Sequence, residues 1–123
     1  MSVTIRYAKL EDCERMLELI NEFTVAPQIT PVSGLPFHEW CIEFENEPEN
    51  LEDFALEIDT KMRLQNSYYN DLIVGNVLKS VVITKIEKQG FQNYMKSIGK
   101  LGGQNKIPRL SNDRKIVDAL IKL

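Results

Sequence analysis

His38-Glu39-Trp40-Cys41-Ile42-Glu43-Phe44 decides the fold class. Trp40, Ile42 and Phe44 fall on one side at period two, and Glu39 and Glu43 on the other, with Glu45 continuing the polar side. That alternation predicts a strand with one buried and one wetted face, and Cys41 falls on the wetted side. Such a strand needs partners, because its backbone donors and acceptors must pair. Upstream, Phe23, Val25 and Ile29 repeat the period, although Pro27 confines that strand to an edge or an irregular position. Pro31-Val32-Ser33-Gly34-Leu35-Pro36 reads as the turn between the two. Val3, Ile5 and Tyr7 alternate with Thr4 and Arg6 and predict an opening strand. Ser80 to Glu87, with Val81, Val82, Ile83 and Ile86, predicts an interior strand.

Helical patterns fill the intervals. Cys13, Met16, Leu17 and Ile20 recur at helical spacing, behind Glu11, Asp12 and Glu14 in the first turn, where negative charge suits the macrodipole. Asn50 is placed to cap a helix running through Leu51, Phe54, Ala55, Ile58 and Met62 to Tyr69, with Asp53 three residues on. At that helix end, one of Tyr68 and Tyr69 is expected to pack and the other to meet solvent. Phe91, Tyr94, Met95 and Ile98 give a short helix; Ile116, Val117, Leu120 and Ile121 give a last one. The order strand-helix-strand-strand-helix-strand is the split ferredoxin-like pattern. The expected fold is therefore α+β: a single sheet of about four strands with helices packed on it, plus two C-terminal helices. At 123 residues, the chain is expected to be a single domain over 1–123.

Charge is distributed unevenly. Residues 1–95 hold eight Lys or Arg against sixteen Asp or Glu, whereas 96–123 hold seven against two. An acidic body with a basic tail points to an anionic ligand. Nucleic acid is poorly supported, because the basic segment is short and lacks interleaved aromatics. The two cysteines, Cys13 and Cys41, have neither disulfide-framework nor zinc spacing, and no metal site is expected. His38, the one histidine, reads as a packing or hydrogen-bonding side chain rather than a catalyst. The run Glu43, Glu45, Glu47, Glu49, Glu52, Asp53 reads as a solvated edge that discourages strand pairing. With no apolar run near 18 residues and no signal-peptide layout, the expectation is a cytoplasmic chain.

The segment Gly99 to Arg114 has no apolar rhythm but gathers Lys100, Lys106, Arg109 and Arg114. Gly102 and Gly103 let the backbone approach another surface closely, and Pro108 stiffens the turn while holding Ile107 extended. Lys106 and Arg109 so presented suit a phosphate or a carboxylate. A solvated connector is the plainer reading of the same composition.

Gln104-Asn105-Lys106-Ile107-Pro108-Arg109 resembles the Gln-x-Lys-x-Pro-Arg element near the C-terminus of the auxin-responsive Gretchen Hagen family of acyl acid–amido synthetases. Met95 to Arg114 is similar to its bacterial branch in particular. Thr24-Val25-Ala26-Pro27, His38 to Phe44 and Leu64-Gln65-Asn66-Ser67-Tyr68-Tyr69 also fit it in order, so the likeness runs from 23 to 123. The resemblance implies a small lid domain that closes over the nucleotide site of a larger adenylating domain. It implies that Lys106 approaches the ATP α-phosphate, with Arg109, Gln104 and Lys100 as further phosphate contacts and Gly102, Gly103 and Pro108 setting the loop.

Residues 1–22 do not fit that family. Ser2 to Asp12 is similar instead to the opening strand and helix of an acyl-CoA-dependent N-acetyltransferase, but the glycine-rich pyrophosphate turn of those enzymes is missing. The resemblance thus implies part of an ATP-dependent ligase, inactive alone, with ATP and magnesium expected only alongside the large domain, in cis or in trans. A stand-alone binding module gripping an anionic partner is the alternative from another class, and a truncated N-acetyltransferase a third. An orphaned lid would also expose an apolar face through which it could form a homodimer.

Overall fold

The computed structural model describes residues 18–100, 102 and 105–122. The opening strand over residues 3–7 and most of the helix that follows lie outside the described residues, as do Gly103 and Gln104. The described part is α+β, with three strands in one sheet and four helices. Strand β1 (Ile20–Gln28) pairs antiparallel with β2 (Phe37–Phe44), from Ile20 opposite Phe44 to Gln28 opposite Phe37, with an irregularity between Ile20 and Glu22. Strand β3 (Val82–Ile86) runs parallel to β2, from Val82 opposite Glu39 to Ile86 opposite Glu43. A parallel neighbour requires a crossover. Helices α1 (Leu51–Gln65) and α2 (Ser67–Val74) supply it, and α3 (Gly90–Ser97) and α4 (Lys115–Lys122) follow β3.

Both faces of β2 are covered. Trp40, Ile42 and Phe44 pack with Phe23 and Val25 of β1 and with Phe54, Ile58 and Met62 of α1. Cys41 packs on the opposite face with Ala26, Ile86, Phe91, Val117 and Leu120. The wetted face expected for Glu39 and Glu43 is therefore corrected: both carboxylates are buried, because α3, α4 and the basic segment lie over them. Each is satisfied. Glu39 pairs with Arg114, at 2.6 Å, and accepts from the Thr84 hydroxyl. Glu43 accepts from Asn21 Nδ2 at 2.6 Å and from the Phe91 backbone N–H at 3.3 Å, so it caps a helix whose own N-cap, Gln89, provides no side-chain bond. Glu45 stays exposed.

Other boundaries also shift. Ile20 opens β1 rather than closing a helix. The long helix expected to reach Tyr69 breaks at Asn66, which is extended (φ −137°, ψ 101°). Its backbone N–H closes α1 on the Met62 carbonyl, while its side chain accepts from the Tyr69 N–H and starts α2. Tyr69 is fully buried and Tyr68 exposed. Strand β3 lies at the sheet edge, half-exposed, rather than in the interior. Strand β1, the other edge, is engaged on its outer side by residues 109–111, described next. No described helix is long and apolar enough to cross a membrane.

Candidate functional site

The basic segment starts from a defined helix end. At the C-terminus of α3 the Lys100 N–H reaches the Met95 carbonyl (2.8 Å) and the Gly99 N–H the Lys96 carbonyl (3.1 Å), with Gly99 left-handed at φ 71°. That is a Schellman closure, for which glycine carries no Cβ penalty. Gly102, at φ 85°, turns the chain again.

Beyond it the segment is fastened to β1. Ile107 inserts into the core on the Ala26–Cys41 face and is only 7% exposed. The Thr24 hydroxyl donates to the Pro108 carbonyl at 2.6 Å. The Val25 N–H donates to the Arg109 carbonyl and the Ser111 N–H to the Val25 carbonyl, each at 2.9 Å, forming a parallel bridge between Val25 and Leu110. The segment thus pairs with an edge that would otherwise present open backbone groups.

The four cations divide into two pairs. Arg109 lies along β1: it pairs with Glu22, donates to the Phe23 carbonyl at 3.1 Å and sits 4.7 Å from the Phe23 ring centroid. Arg114 is held by Glu39, by Asp118 at 3.1 Å and by the Pro27 carbonyl at 3.3 Å. Lys100 and Lys106 are exposed instead. Both line a shallow hollow of about 180 Å³ with Glu22, Phe91, Met95 and Ile107. Neither lysine has an ion pair among the described residues, and Glu22 is already committed to Arg109. The hollow therefore carries an excess of positive charge. Lys106 stands directly before a buried anchor residue, so its backbone is fixed while its ammonium is open to solvent.

Chemically, this is a place for an anion brought from outside the domain. Two unit charges about 4 Å apart attract by roughly 4 kcal/mol at an effective dielectric near 20, before desolvation is counted. Of the other residues singled out from the sequence, Cys41 is fully buried and its thiol is pushed up to about 12, chiefly by burial and then by Glu39, which removes it as a nucleophile. His38 packs on Tyr69 with ring centroids 5.5 Å apart and lies on the far side of β2's length from the lysines, near the β1–β2 turn. No cluster of three or more His, Cys, Asp or Glu among the described residues is arranged to hold a metal ion.

Sequence reading missed the structural duties of Glu39, Glu43 and Arg114. The signal available was a surplus of cations downstream of a strand with acidic residues on one side, but the pairing joins residues 75 positions apart.

No curated protein matches the chain. Two solved structures share the fold. One is a GH3.15 acyl acid amido synthetase, with TM-score 0.73. The other is AtGH3.15 acyl acid amido synthetase in complex with 2,4-DB, with TM-score 0.69. Each is 13% identical, and the match covers 99% of this chain but 25% of theirs, so the chain spans about a quarter of their length. At that identity the likeness speaks for the fold. The model of the GH3 family C-terminal domain matches residues 6–115, a span that takes in much of the 1–22 segment set apart above. By that match over most of its length, with the fold in agreement, the chain belongs to the GH3 family as a C-terminal domain.

Proposed function

We propose that this domain is the lid of an acyl-adenylating ligase and that it brings Lys106 to the α-phosphate of ATP held by a large adenylating domain, in cis or in trans. One observation carries the reading. Lys106 is exposed and without an ion pair among the described residues, while Ile107 beside it is locked into the core. In adenylation, a carboxylate oxygen of the acyl acid bonds to the α-phosphorus as the bond to the leaving pyrophosphate breaks. Negative charge grows on the α-phosphate oxygens as this happens, and a positioned ammonium lowers the barrier by stabilising that change rather than the ground state. A net effect of about two orders of magnitude in rate is the scale expected for such a group. Lys100, Gln104 and Arg109 would be secondary contacts, with Arg109 acting from its fixed place on β1. Withdrawal of the lid would then clear the site for amide formation.

The test adds this chain to an adenylating domain deprived of its own lid and follows ATP–pyrophosphate exchange. Rescue by the unaltered chain, lost with Lys106→Ala, is the expected result. Absence of rescue by the unaltered chain refutes the reading.

A further inference from the structure

A second cavity, separate from the lysine hollow, opens at the other end of the β1–β2 pair. It has a volume of about 470 Å³ and is walled by Ile29, Phe37, Val77, Leu78 and Leu110, with His38 among its lining residues. That size falls within the range of small-molecule sites. Two features distinguish it from an ordinary surface dent.

The first is His38 itself. The residue is 8% exposed, and neither ring nitrogen has a hydrogen-bond partner among the described residues. Nδ1 is sealed from solvent. Nε2 is consequently the nitrogen an occupant of the cavity can reach. A buried polar group left without a partner costs about 1–3 kcal/mol, so a ligand that pairs with it gains what the protein alone forgoes. The ring cannot simply turn away, because it packs on Tyr69, which is itself held by its hydroxyl on buried Asp59 at 2.5 Å.

The second is charge. None of the lining residues carries a formal charge; the polar members besides His38 are Gln28, Ser111 and Asn112. Burial holds the imidazole below its ordinary value of 6.5 against the opposing pull of Asp59, so the ring is neutral at pH 7. A charged ligand would lose its hydration there with no counter-charge in the walls.

We propose that this cavity binds a neutral aromatic molecule of one to two rings bearing a single hydroxyl, which donates its hydrogen bond to His38. The apolar walls take the ring and the imidazole fixes its orientation.

The experiment uses the full chain, isotope-labelled, titrated with p-cresol and separately with toluene, and read by NMR. The amides of Val77, Leu78, Leu110 and Ser111 report occupancy, and His38, as the one histidine in the chain, gives an unambiguous ring signal. Saturable shifts of these groups by p-cresol are expected, with a dissociation constant on the order of 1 mM for so small a ligand. His38→Phe keeps the ring but not the nitrogen. It should weaken p-cresol about fivefold and leave toluene unchanged, the loss of one net hydrogen bond. Val77→Trp, at a half-exposed rim position, should block both ligands; Ile29→Trp, also at the rim, serves equally if that variant does not fold. The proposal is overturned if p-cresol gives no saturable shift. It is equally overturned if His38→Phe affects both ligands alike, or if the shifts survive a folded rim-filling variant.

Discussion

Ile107→Ala should detach the basic segment from the sheet. The side chain is 7% exposed and packs among Ala26, Cys41, Phe91, Val117 and Leu120. Truncation removes three buried carbon groups, about 0.8 kcal/mol each by transfer, and adds a cavity term that near-surface collapse keeps small. A loss of about 3 kcal/mol follows, against about 1 kcal/mol for Ile107→Val. Urea unfolding followed by the fluorescence of Trp40, the single tryptophan, measures it; Trp40 stacks on Phe23 at 5.3 Å and reports the β1–β2 core. The local consequence is sharper. The Ser111 amide, bonded to the Val25 carbonyl, should exchange about two orders of magnitude faster with deuterium, since 3 kcal/mol taken from a local opening multiplies the open population by that factor. If Ile107→Ala stays within about 0.5 kcal/mol of the unaltered protein and Ser111 protection is unchanged, the anchoring account is wrong.

Lys106→Ala, at an exposed position, should leave the urea midpoint within about 0.5 kcal/mol of the parent, which separates any loss of pyrophosphate exchange from misfolding. Arg114→Met should cost about 2 kcal/mol by leaving buried Glu39 with the Thr84 hydroxyl and no cation, and Glu39→Gln in the same chain should recover part of it; additive losses would refute the coupling. Cys41, with its thiol raised from 9.0 to about 12 in the folded state, favours the neutral form there; stability is full below pH 9 and falls above it as the unfolded chain ionises first. Cys41→Ala should flatten that alkaline limb, and the thiol should react with a disulfide reagent only on unfolding. For His38, held below 6.5, the unfolded chain takes the proton first, so stability falls as pH drops through 6.5, and His38→Phe should remove that contribution.

How much of this was legible in the sequence depended on the range of the interaction. Trp40, Ile42 and Phe44 announce β2 through local period, and Asn50 announces the start of α1 through its cap, bonded to Glu52 and Asp53 N–H as the spacing requires. Asn66 could not be read as a break, because Leu64 to Tyr69 keeps apolar residues at plausible helical positions and nothing local forces an extended residue there. The inward burial of Glu39 and Glu43 was hidden for another reason: alternation distinguishes two faces but not whether a second layer covers the polar one. That layer comes from α3, α4 and Ile107, all far along the chain. The lysine–isoleucine–proline run at 106–108 drew attention as a motif, yet the roles of its neighbours Arg109 and Arg114 were visible only once β1 and β2 were beside them.

Thr24 and Val25 stitch residues 108–111 to the first strand, with Ile107 as the plug. The amine at position 106 is therefore cargo on the sheet, without a flap of its own to swing on. Whatever delivers or retracts it has to rotate the whole body, and the pivot for that rotation must lie outside the sewn stretch.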